Sequence, residues 1–202
     1  MARGVAWALI ILGSVVSLAA CSTFPTVKTV PELENAWLAQ RHTLDRLQNW
    51  TIAGRLGIQT ESEGWHISFR WRQEAESYRI DLSAPLGQQS AALQGDSQGV
   101  TLVLADGRRV VAADPEDLLA RQLGWRVPIK GLRYWVKGLP SPDAAEVHGL
   151  DERGRLLWLE QAGWRISYRR YGDFSGNLLP VKIFLDNSEL KVRLVIDEWT
   201  FA

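Results

Sequence analysis

The chain has 202 residues, 46% of them hydrophobic and 23% charged, a globular composition that excludes a disordered protein or a polytopic membrane bundle and fits one domain. Lys+Arg and Asp+Glu both number 23, so no net positive field draws the whole protein onto nucleic acid phosphates, and no nucleic acid partner is expected. Ten tryptophans stand out, and a single cysteine, Cys21, excludes an internal disulfide scaffold or a zinc ribbon.

Met1 to Arg3 is a short basic start, Val5 to Leu18 an apolar run, and Leu18-Ala19-Ala20 supplies small residues before a cleavage point. This pattern predicts a signal peptide over residues 1–20, too short to cross a hydrocarbon core of ~30 Å comfortably. The run stops at the only cysteine, and Leu-Ala-Ala-Cys resembles a bacterial lipobox. Lipidation is therefore expected at Cys21, which makes the protein anchored to a membrane rather than spanning it. Two or three acyl chains hold stably, at roughly 0.8 kcal/mol per buried methylene. Ser22 follows the cysteine, and the expected address is the outer membrane, facing the periplasm.

Residues 21–31 hold Pro25 and Pro31 without periodicity and are read as the lipidated start and a tether; residues 32–202 are read as one domain. From Pro31 to Gln48 the spacing of Leu33, Trp37, Leu44 and Leu47 predicts an amphipathic helix. Alternation of apolar and polar residues then predicts strands at Trp50 to Ile58, Trp65 to Trp71, Tyr78 to Leu82, Gln88 to Gln94 and Val100 to Leu104, with Arg109 to Ala112 returning after an Asp106-Gly107 turn. Two short helices follow. Asp114-Pro115 offers a cap and a proline in the first turn, Gly124 a stop, and Pro128 to Lys137 repeats the scheme up to Gly138. Ala144 to Leu150, Arg155 to Gln161, Trp164 to Tyr171, Pro180 to Leu185 and Leu190 to Phe201 complete about eleven strands. Few crossover helices intervene, so the class is mainly β with a few helices (α+β). We expect a strongly curved antiparallel sheet with helices across its concave side and an apolar pocket between them.

No enzymatic constellation is apparent. His42, His66 and His148 lack metal-ligand spacing, no Gly-x-Ser-x-Gly elbow or phosphate loop occurs, and Cys21 is used by the lipid. Asp81, Glu116, Asp151 and Asp197 could pair as glycosidase acids do, but turn and surface charges are commoner. No enzyme activity, metal or cofactor is expected. Arginines interleave with aromatics in Arg70-Trp71-Arg72 and Tyr168-Arg169-Arg170-Tyr171; alternation puts the two types on opposite faces.

Ser83-Ala84-Pro85-Leu86-Gly87-Gln88-Gln89 sits between two predicted strands and presents a leucine at a turn. Together with Gly54-Arg55-Leu56-Gly57, Phe69-Arg70-Trp71, Leu118-Leu119, Leu132-Arg133-Tyr134-Trp135-Val136-Lys137-Gly138-Leu139-Pro140, Gln161-Ala162-Gly163-Trp164 and Leu194-Val195-Ile196-Asp197-Glu198-Trp199, it resembles the LolB family of outer-membrane lipoprotein receptors, from the lipobox to Trp199. The resemblance implies a half-open barrel of about eleven strands, lidded by three helices over a hydrophobic cavity. It implies a receptor that accepts client lipoproteins from the periplasmic carrier LolA and inserts them into the inner leaflet of the outer membrane. It also places the family's protruding, membrane-delivering leucine at Leu86. A monomer is expected.

A triacylated cysteine carries on the order of 45 methylenes, so its exposure to water would cost roughly 36 kcal/mol. A receptor for it needs a cavity, and with no nucleotide motif the transfer runs downhill. The candidate acyl-chain cavity residues are Trp50, Ile52, Trp65, Ile67, Phe69, Trp71, Leu82, Leu102, Trp135 and Leu157, with Leu119 and Leu132 from the lid; for each alone, ordinary core is the competing role. The alternative is a structural lipoprotein of an outer-membrane assembly complex with a filled core, and a third reading is a lipid-anchored hydrolase.

Overall fold

The computed structural model describes residues 29–84, 90–124 and 126–201. Cys21, with the leader and most of the tether, and Leu86 lie outside the described residues. The chain opens with α1 (Val30–Asp45), followed by β1 (Asn49–Gln59), β2 (Gly64–Glu74), β3 (Ser77–Ser83), β4 (Ser90–Gly95), β5 (Val100–Val103) and β6 (Arg109–Ala112). Two short helices, α2 (Pro115–Leu123) and α3 (Ile129–Trp135), come next. The chain ends with β7 (Glu146–Leu150), β8 (Leu156–Gln161), β9 (Trp164–Phe174), β10 (Asn177–Asp186) and β11 (Lys191–Phe201).

All the ladders are antiparallel and form one sheet of 11 strands in the order β6-β5-β4-β3-β2-β1-β11-β10-β9-β8-β7. This is the strand count that the alternation predicts. The sheet is two meanders joined at one seam, where β1 pairs with β11 from Trp50–Phe201 to Gln59–Lys191. Its two edges, β6 and β7, are consecutive in the sequence, and the segment between them is the one that carries α2 and α3. The seam slips register between Ala53 and Gly54. Gly54 is required there, because a Cβ on it would lie 2.0 Å from the Val195 carbonyl oxygen. Such a slip increases the local twist and helps a wide sheet curl.

The helices follow their end signals. Thr29 N–H donates to the Glu32 carboxylate (2.7 Å) at the start of α1, which ends at Asp45, short of the predicted Gln48. Asp114 Oδ1 accepts from the Glu116 and Asp117 amides (2.9 and 3.1 Å), and Gly124 closes α2 at φ 85°. α1 packs against the β7 side of the sheet: the Trp37 ring lies 5.9 Å from that of His148, and Gln40 donates to the Leu178 carbonyl (3.2 Å). No helix among the described residues is long and apolar enough to cross a membrane.

The register gives the sheet two unlike ends. The upper end carries the β1–β2, β5–β6, β8–β9 and β10–β11 turns, and β3 ends and β4 begins there; the remaining turns lie at the lower end. The lower half is packed with indoles: Trp50 stands 5.2 Å from Trp71 and 5.5 Å from Trp199, ring centre to ring centre. Two of these three indoles have an acceptor for their N–H, Trp71 on Gln73 Oε1 (3.1 Å) and Trp199 on the Pro180 carbonyl (3.3 Å).

Candidate functional site

Above the indole layer, in the upper half of the curve, the inward side chains become aliphatic and a cavity of about 170 Å³ opens. Leu56 and Ile58 of β1, Phe69 and Trp71 of β2, Ile80 and Leu82 of β3, Ala91 and Leu93 of β4, and Leu102 and Leu104 line one wall. Leu185, Val192, Leu194 and Trp164 line the other, and the roof is Leu119 of α2, Val127, Pro128, Ile129, Leu132 and Val136. No charged or amide side chain is among them. A void of this kind stays dry, because water entering it would find no hydrogen-bond partner.

Of the candidates named from the sequence, the structure brings Phe69, Trp71, Leu82, Leu102, Leu119 and Leu132 together around this void. Trp50, Ile52 and Trp135 are buried but do not reach it. Trp50 and Ile52 precede the β1 slip and belong to the filled lower half, and Trp135 turns away on α3. Ile67 points inward near the upper edge of β2, half-buried and outside the cavity lining, and Trp65, at the strand start, is 36% exposed. Leu157 faces solvent at 47% exposure, so its predicted place in the cavity is corrected. The β7–β8 ladder slips between Gly149 and Leu150, so Leu156 and Leu159 point inward at a spacing of three, which strict alternation cannot anticipate. Sequence reasoning missed the second wall. The alternation of Leu185 on β10 and of Val192 and Leu194 on β11 was the available signal.

The roof is fixed at one end. Gln161, 3% exposed, accepts on Oε1 from Trp135 Nε1 and the Ser141 amide (both 2.8 Å) and donates through Nε2 to the carbonyls of Ser141 (2.8 Å) and Ala144 (2.7 Å). Tyr168 OH donates to the Trp135 carbonyl (3.1 Å), and burial pushes that phenol well above its ordinary pKa. Lys137, 4% exposed, donates to the Leu47 carbonyl (3.1 Å), and burial lowers its pKa to about 8. Arg133 forks onto Glu76 in the β2–β3 turn (2.8 and 2.9 Å); the hydrogen bond raises the guanidinium and lowers the carboxyl. The other end is tied mainly to itself: Lys130 to Asp114 (2.9 Å) and Arg126 to Asp117 (2.8 Å), both within the lid.

The four carboxylates considered for acid–base work stand apart. Asp81, Asp151 and Asp197 are held by Arg79, Arg155 and Arg55, and Glu116 lies outside the cavity, its pKa raised by burial. Among the described residues no cluster of His, Cys, Asp and Glu has metal-holding geometry.

The open antiparallel sheet, roofed by helices over an apolar hollow, is an arrangement shared with a solved protein described as belonging to the LolA superfamily. A member of that superfamily from Nitrosomonas europaea superposes with a TM-score of 0.54 at 8% identity, covering 82% of this chain and 93% of its own. Sequence narrows the class. The family model for outer membrane lipoprotein LolB matches residues 48–199. The outer-membrane lipoprotein LolB of Nitrosococcus oceani is 39% identical over 191 residues, 94% of this chain and 95% of the relative. That of Pseudomonas aeruginosa is 40% identical over 163 residues, 81% and 80% of the two chains. The chain belongs to the LolB family of outer membrane lipoproteins.

Proposed function

We propose that the protein is the outer-membrane receptor that takes lipoproteins from a LolA-type periplasmic carrier, holds their acyl chains in the apolar cavity, and inserts them into the inner leaflet. The observation that carries this reading is the wholly apolar void at the upper end of the sheet in a chain of the LolB family. Ser83, where β3 ends, and Ser90, where β4 begins, pair at that same end, and Leu86 lies between them in the sequence. In this reading residues 1–20 are removed, Cys21 is acylated, residues 21–31 are the tether, residues 32–202 are the binding domain, and the protein works as a monomer. A dry void also favours this role over that of a structural lipoprotein with a filled core.

The cavity size describes a closed receptor. A void of about 150 Å³ holds one benzene, so about 170 Å³ takes a fragment of one acyl chain. The roof must lift, and the anchoring says where. The C-terminal end of α3, held by Gln161, Tyr168 and the Lys137–Leu47 contact, is the hinge, and α2 is the moving part. Loading is downhill when the opened, desolvated cavity holds acyl chains more tightly than the carrier, and delivery is downhill because a bilayer holds them more tightly still.

The test is transfer. The mature protein incubated with lipoprotein-loaded carrier should acquire the lipoprotein and pass it to liposomes, and no transfer to the protein would overturn the proposal. Leu86→Glu should accept the lipoprotein normally and stall at the liposome step; normal insertion would reduce that loop to a turn.

A further inference from the structure

A second concavity lies behind the roof. It has a volume of about 520 Å³ and is bounded by the α2–α3 link, the β8–β9 turn and the β10–β11 turn, all at the upper end. It shares two residues, Pro128 and Trp164, with the apolar cavity, so one wall separates the two. Its character is opposite. Glu116, Asp143 and Glu189 line it, and among the described residues their carboxylates have no ion-pair or hydrogen-bond partner. Arg126 and Lys130 also line it; they pair with Asp117 and Asp114 and their charges also reach Glu116, so the lining carries three carboxylates against two cations. At Gly163, on the cleft floor, no heavy atom lies within 4 Å of the position a Cβ would take, so a chain can approach the backbone there.

An acylated cysteine is a divided ligand. Its chains can enter a cavity without polar groups, but its amide and the polypeptide beyond it cannot, because each unpaired amide left there would cost roughly 1–3 kcal/mol. The polypeptide must leave the cavity over a wall that meets polar groups on the other side. We infer that the cleft behind Pro128 and Trp164 receives the first residues of the client polypeptide, in extended form and with a preference for basic side chains, while the acyl chains occupy the cavity. This rests on the receptor reading above and adds the place of the polypeptide. The burial that raises the pKa of Glu116 also means that a cation or amide donor there meets a partly desolvated acceptor, which strengthens the contact.

The test uses the full mature protein carrying p-benzoylphenylalanine in place of Ser188 in the cleft, Ile67 at the upper rim beside the cavity, or Arg79 on the outer face of β3. The ligand is a synthetic triacylated lipopeptide, Cys-Ser followed by four lysines, with a C-terminal biotin. Cross-linking at positions 188 and 67 but not 79 is expected. Labelling at 67 with none above the position-79 level at 188 would overturn the cleft and leave the acyl cavity standing, whereas labelling at neither would overturn both. Because the probe could itself disturb the cleft, affinity is measured separately on the pair Glu116→Gln, Glu189→Gln. It should fall about fivefold for the lipopeptide, the size expected for two partly exposed ion pairs, and stay unchanged for tripalmitoyl-cysteine amide. Equal affinity of this variant and the parent for the lipopeptide would overturn the basic preference.

Discussion

Filling the cavity should stabilise the protein and disable it. Ala91 lines the void from β4, opposite Leu82 on β3. Ala91→Phe places a phenyl ring, in effect a tethered benzene, into a space of about 170 Å³, where benzene needs about 150 Å³. Burying the ring contributes roughly 1.5–3 kcal/mol and fixing its rotamer costs up to about 1 kcal/mol, so a net gain of about 1 kcal/mol is expected. For a chain of this size that is an upward shift of about 2–4 °C in melting temperature. The same ring removes room for about six carbons at ~0.8 kcal/mol each. Even a third of that loss lowers acyl affinity by more than tenfold. Urea denaturation and displacement of a fluorescent fatty acid measure the two effects on one preparation. Destabilisation of about 2 kcal/mol or more, the signature of an overpacked core, or unchanged acyl affinity would refute the reasoning.

Gln161→Leu should cost roughly 3–5 kcal/mol, since it strands the Trp135 indole N–H, the Ser141 amide and two carbonyls at once; a change in urea midpoint equivalent to less than 1 kcal/mol would show that the network is replaceable. Lys137 has a folded-state pKa of about 8, below its unfolded value of about 10.4. The unfolded chain therefore binds the extra proton between those values, and the burial penalty felt at neutral pH is relieved as the pH rises from about 8 to 10. Stability measured against Lys137→Met should show this rise only in the parent; parallel curves would contradict it. Breaking the Arg133–Glu76 fork with Glu76→Gln should cost only about 0.5–1 kcal/mol but should speed amide exchange in α3 selectively, and uniform exchange would argue against its holding the roof.

The strand series was legible because most inward and outward positions alternate strictly and the turns carry glycine and aspartate. The cavity was legible only in part, for reasons that lie in the register. Which inward positions fill and which line depends on their height along the sheet, and height is set by the seam. Trp50 and Ile52 share a face with Leu56 and Ile58, yet the slip at Ala53/Gly54 separates filled core from lining. Trp164 and Leu185 are brought opposite Leu82 and Leu102 by the curvature of the sheet, a relation that no local pattern encodes. Leu157 departs from the alternation because it is itself the extra residue of a bulge on β8, skipped between the Gly149–Trp158 and Leu150–Leu156 pairs. The polar partners of the hinge, Gln161 and Lys137, lay in motifs noted from the sequence, but their buried contacts join segments far apart in the chain.

The lid segment is also the only covalent link between the two edges of the sheet. Residues 113–145 run from β6 to β7, the outermost strands of the two meanders, so the hollow resembles a purse whose drawstring is sewn to both rims. Spreading the rims and slackening the cord are then one motion, and volume can be gained by easing the twist of the sheet without unzipping any ladder. Cutting the chain within the α2–α3 link should leave two halves able to re-pair along the β1–β11 seam while the hollow loses its closure.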